Sequence, residues 1–173
     1  MRESDKYIFD SMKIDEECYL LLCCFLSSNK LNKICISSNF MHFKALPIKE
    51  EQKIKQYLIS IAIKLRMIDY LMKDHNRENH LPNDDNVGFI KTNNCKNILS
   101  IREACNKIIH ARSLKFVYRK TKDKMTYLKP IVYFSGQKNK KDWKASIDIF
   151  KFAEIAVYVS NEYDEIWDVS GYT

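Results

Sequence analysis

The sequence predicts a mainly helical α+β domain: a helical bundle, a small three-stranded antiparallel β-meander, and a closing helix. Three observations carry this. Ile54, Leu58, Ile61, Leu65, Ile68 and Met72 recur in steps of four and three, which draws one stripe along an α-helix. The chain holds only three Gly and three Pro, too few for a turn-dense all-β sandwich. Beyond Ala111 the apolar period shifts from helical to alternating. The 173 residues fit one domain, with the bundle over about 1–112, the meander over 113–149, and a helix and tail over 150–173.

Each element has its own signal. Asp15 to about Ser28 joins an acidic start to a dense apolar run and reads as a buried helix. Cys35–Phe43 is short, apolar and Ser-rich, and leaves its type open. The striped helix opens at Pro47, carries Glu50 and Glu51 in its first turn, and runs to about Lys73. Ile59, Ala62, Ile63 and Met67 make it apolar over most of its circumference, which predicts a central position. Arg66 and Asp69 stand out on it as polar groups that need partners; three residues apart, they can pair. Asp74–Gly88, with His75 and His80, reads as a polar loop whose spacing fits no metal cage.

Ser100-Ile101-Arg102-Glu103 has the form of a capping box, starting a helix that reaches about Ala111. Leu114–Tyr118, Tyr127–Phe134 and Trp143–Ile149 read as strands, and Ser135–Asp142, with Gly136, as a hairpin loop. Pro130 places its strand at an edge or at a bend. Phe150–Asn161 returns to helix, and an acidic, aromatic tail with Trp167 follows.

Charge is unevenly spread. The net charge is +7, yet Lys107–Lys144 holds twelve Lys/Arg against two acids, and the rest of the chain is net acidic. Such a segment is either a polyanion footprint or the solvated face of a small sheet, with Lys guarding its edges. The first residues are charged, with no apolar signal core, and no apolar run is long enough for a membrane span. Without an export signal a cytoplasmic protein with reduced thiols is expected, and the six cysteines form no C-x-x-C pair and no zinc spacing. No cofactor or metal is implied, and no phosphate-binding Gly loop or nucleophile elbow occurs.

Arg102, Asn106 and His110 stand at i, i+4 and i+8, a polar line opposite Ala104, Cys105, Ile108 and Ile109. Ribonucleolytic chemistry uses such groups: an imidazole for proton transfer, an amide to orient it, and a guanidinium for phosphoryl charge. The plainer alternative is a surface line, with His110 at a favourable helix C-terminus and Arg102 bound to Asp69. Cys105 and His110 are about 140° apart around the helix, which argues against a thiol–imidazole pair.

The segment Leu99-Ser-Ile-Arg-Glu-Ala-Cys-Asn-Lys-Ile-Ile-His-Ala111 resembles the conserved helix of HEPN-like domains, and Ile61–Asp69 resembles a bundle helix of the same superfamily. The likeness covers roughly the middle third of the chain. It implies a helical bundle and a metal-independent ribonuclease of a toxin or phage-defence system, with His110, Asn106 and Arg102 as catalytic residues. The family pattern is Arg, a polar residue, three variable residues and His. Asn106 and His110 match it, whereas Cys105 stands at the Arg place and Arg102 lies three residues early. Either Arg102 or Arg112 then supplies the guanidinium, or the member keeps the scaffold without catalysis and binds nucleic acid or a protein partner such as an antitoxin. Active members pair two motifs across a cleft, which implies a homodimer. Arg112, Lys115, Arg119, Lys129 and Lys144 are the expected RNA-backbone contacts, with Arg66 and Asp69 supporting the site. A third reading is an interaction protein using Tyr118, Tyr127, Tyr133, Trp143 and Trp167.

Overall fold

The six stripe residues, Ile54 through Met72, are all fully buried, and they set the axis on which the other elements pack. The computed structural model describes residues 12–74, 81, 85–92, 95–122 and 126–170, except for the side chains of residues 12, 74 and 166–170. Most of the polar segment at 75–84, with His75 and His80, and the side chain of Trp167 lie outside the described residues.

In chain order the elements are α1 (Met12–Ser37), a single 3-10 turn (Phe43–Ala45), α2 (Leu46–Asp74), β1 (Gly88–Thr92) and β2 (Cys95–Leu99). Next come α3 (Ile101–Ile109), β3 (Ser113–Lys120), β4 (Thr126–Lys138), β5 (Lys141–Asp148) and α4 (Ile149–Ser170). α1 runs well past Ser28, and Cys35 is buried near its end. α2 is less enclosed than its composition predicts. Ile59, Ile63, Met67 and Tyr70 are exposed, so its outer side is an uncovered apolar stripe.

The sheet corrects the expected three-stranded meander. It has five strands, all antiparallel, in the order β2-β1-β5-β4-β3. The α+β class holds, but the β1–β2 hairpin before α3 joins the sheet through β5. Close approach explains Gly88 in β1: a Cβ there would collide with the Ser146 carbonyl of β5. The β4–β5 connection is also shorter than expected. The strands continue to Lys138 and Lys141, leaving only Asn139 and Lys140, at φ 51° and 62°, in a two-residue turn. Pro130 falls where β4 slips register against β3 and just past Ile131, the end of its pairing with β5, so it sits at an irregularity on a stretch with no β5 neighbour.

Alternation gives the sheet two unlike faces. Phe116, Leu128, Val132, Phe134, Trp143, Ala145 and Ile147 turn inward and join one core with α1, α2, α3 and α4. Phe89, Lys91, Lys115, Tyr133 and Lys144 turn outward and are exposed. Where β4 outruns β5, α1 satisfies its backbone: the Leu128 N–H donates to the buried Ser28 hydroxyl at 3.1 Å.

Candidate active site

α3 begins as its sequence predicts. Ser100 is the N-cap, and its hydroxyl accepts from the Glu103 N–H at 3.4 Å. The reciprocal half of the capping box is not made, because the Glu103 side chain turns to its own helix. Its carboxylate takes Lys107 Nζ at 2.8 Å and Asn106 Nδ2 at 3.3 Å. His110 is the C-cap; its N–H donates to the Asn106 carbonyl at 3.1 Å, and its side chain is exposed.

Glu103, Asn106, Lys107 and His110 therefore stand at i, i+3, i+4 and i+7, one face of one helix. The face opens on a pocket of about 520 Å³, closed on the other side by Gln137, Lys138 and Asn139 of the β4–β5 hairpin and by Trp143. Lys107 is only 6% exposed and its ammonium lies 4.7 Å over the Trp143 ring. Gly136 lets this happen: a Cβ there would run into the Trp143 ring and come within 3.1 Å of the His110 carbonyl.

The electrostatics keep Glu103 ionised. Burial pushes its carboxyl up, but hydrogen bonds from Lys107 and Asn106 and the charges of Lys107 and Lys138 outweigh that and hold it below the usual range. The pocket thus joins a carboxylate, an imidazole and two ammonium groups.

Of the three residues expected to act together, His110 and Asn106 share this pocket and Arg102 does not line it. A four-residue step advances about 40° around a helix, so the predicted line drifts and Arg102 ends about 80° from His110. Its guanidinium instead binds Asp69 at 2.9 Å. Asp69, 2% exposed, also takes Arg66, so the pairing expected within α2 is present and serves to pin α3. Asn106 holds Glu103, not the imidazole it was expected to orient. Cys105, at the family's Arg place, is fully buried and its thiol is pushed up by desolvation.

The expected backbone contacts also fall elsewhere. Lys115 and Lys144 point from the outer face of the sheet, and so does Arg119, opposite Tyr127. Lys129 sits in the irregular stretch of β4, and Arg112 is exposed in the α3–β3 connection, where its N–H donates to the Ser135 carbonyl at 2.8 Å. The cations that line the pocket with His110 are Lys107 and Lys138. Sequence reasoning missed Glu103, Lys107 and Lys138 as site residues, although the i, i+3, i+4, i+7 spacing was available.

Among the described residues no group of three His, Cys, Asp or Glu could hold a metal ion, and no helix is long and apolar enough to cross a membrane. All six cysteines are free thiols. Comparison with protein-family models, curated proteins and solved structures finds no match to this chain.

Proposed function

We propose that this protein is an endoribonuclease that needs no metal and acts from the α3 pocket on RNA in the cytoplasm. One observation carries the reading: the Glu103 carboxylate and the His110 imidazole share a pocket with two ammonium groups. In this scheme the Glu103 carboxylate takes the proton of a ribose 2′-hydroxyl. The 2′-oxygen attacks the adjacent phosphorus, and the bond to the 5′-oxygen breaks. Protonated His110 gives its proton to that leaving oxygen, and the product ends in a 2′,3′-cyclic phosphate. Lys107 and Lys138 face the charge that builds on the phosphoryl oxygens. Asn106 fixes Glu103. The likeness of residues 99–111 to the HEPN helix supports the same class of chemistry, for a toxin or defence component, through a different set of partners.

The homodimer that the likeness implies has a surface to use. Pairing through Ile59, Ile63, Met67 and Tyr70 would bury the uncovered stripe of α2.

A second reading, a module that binds RNA or an antitoxin-like protein without turnover, is favoured by one observation. Both oxygens of Glu103 are already engaged by Lys107 and Asn106. Incubation of purified protein with RNA in EDTA separates the two. The nuclease reading expects fragments with cyclic-phosphate ends and their loss in His110→Ala. Binding without fragments would leave the second reading.

A further inference from the structure

The outer face of the sheet is a second surface, on the side away from the α3 pocket. Register builds it row by row. Lys96, Lys91, Lys144, Ser135 and Ser113 are aligned across all five strands. The adjacent row is Ile98, Phe89, Ser146, Tyr133 and Lys115. Phe89 and Tyr133 are 40% and 47% exposed, with only the small Ser146 between them. Two strand spacings put their backbones about 10 Å apart, so each ring offers its own flat surface.

Three lysines directly opposite one another across neighbouring strands repel, and none of them forms an ion pair among the described residues. The strands carry nine Lys/Arg and two acids. The acids, Asp142 and Asp148, lie near the two ends of β5, and Asp148 is engaged in capping α4 through the N–H groups of Phe150 and Lys151. Lys115, Tyr133, Ser135 and Lys144 also line a shallow depression of about 650 Å³.

We infer that this face binds a single-stranded nucleic acid, its bases stacked on Phe89 and Tyr133 and its phosphates held by Lys91, Lys96, Lys144 and Lys115. Charge selects a polyanion, and exposed rings select one whose bases are free to stack. A duplex presents phosphates but keeps its bases paired away from such rings. The Lys96 ammonium now lies 3.8 Å over the Phe89 ring. Its flexible stem lets it move from the ring to a phosphate as a base takes its place.

The inference shares a polyanionic ligand with the nuclease reading but does not depend on cleavage. The test uses the full chain and a fluorescein-labelled oligothymidylate of about 12 nucleotides. That probe has no 2′-hydroxyl to be cleaved. Binding is expected at low salt. Phe89→Leu and Tyr133→Leu, which keep apolar bulk and remove the ring, are each expected to weaken it about tenfold. Replacing Lys91 and Lys144 with Gln is expected to lower the slope of log affinity against log salt by about 1.4. Binding by both Leu variants as tight as by the unaltered chain would overturn the inference, as would equal affinity for a duplex of the same length. So would self-association through this face, lost in Tyr133→Leu, without oligonucleotide binding. RNA cleavage that persists while the sheet variants bind normally would leave the nuclease reading and remove this one.

Discussion

The Lys107 ammonium sits 4.7 Å over the Trp143 ring, and through this contact α3 and β5 hold a buried cation at the floor of the pocket. Glu103 balances its charge at 2.8 Å. A cation held this firmly is preorganised for an incoming phosphate, because it need not be drawn from water when the charge develops. Lys107→Met keeps the apolar stem. It is expected to cut RNA cleavage by about 10²-fold or more, in line with the loss of one oxyanion donor. Far-UV circular dichroism of the same variant is expected to be unchanged. Full cleavage activity would remove Lys107 from the site.

Gly136 links packing to chemistry, since its missing side chain makes room for both Trp143 and the His110 carbonyl. Gly136→Ala is expected to cost about 1–3 kcal/mol through overpacking. It is also expected to lower cleavage, because it displaces the cap that carries the imidazole. Urea unfolding and a cleavage assay on the same preparation measure both effects.

Asp69 separates a structural role from a catalytic one. Its buried carboxylate receives Arg66 from its own helix and Arg102 from α3. Asp69→Ala is expected to cost about 2 kcal/mol, less than a fully buried pair, because both guanidinium groups are partly solvated. Arg102→Met is expected to lower stability while reducing cleavage far less than His110→Ala. Equal loss of cleavage in the two variants would return Arg102 to the site.

Glu50 predicts a pH dependence of stability. Burial pushes its carboxyl up to about 7; a hydrogen bond from Ser28 opposes this, and the neighbouring Glu51 charge adds to the rise. A carboxyl with a raised pKa in the folded state binds more protons folded than unfolded. Its contribution is complete below its unfolded value of about 4.5 and is lost as pH rises through about 7. Glu50→Gln is therefore expected to raise the melting temperature at pH 8 relative to the unaltered chain and to have little effect at pH 4. Thermal melts at the two pH values check it, and a larger gain at pH 4 would contradict it.

Long-period signals in the sequence were the readable ones. The α2 stripe is buried at every position, and Ser100 caps α3 as its motif requires. β1 and β2 were not seen, because five residues with one or two buried positions give little alternation to detect. Asn93-Asn94 is a turn-forming pair, so a weak hairpin signal existed. The site was half legible. His110 and Asn106 followed from helical spacing. Glu103 was hidden by its match to a capping motif, and Lys107 by its place at the start of a lysine-rich segment. Lys138 depended on the β4–β5 turn, whose position the sequence placed too early by reading Gly136 as loop. The lysines were legible as a cluster, but only strand register shows that Lys115 and Lys144 leave the sheet on the side away from His110.

In the proposed scheme Glu103 and His110 move the protons of RNA cleavage from one pocket. Single-turnover cleavage of a defined RNA in EDTA, comparing the unaltered chain with His110→Ala and Glu103→Gln, tests it most directly. Each variant is expected to lose about 10²- to 10⁴-fold in rate, and the double variant little more than the worse single one, because the two groups act in one step. Cleavage at the unaltered rate in both single variants would contradict the claim.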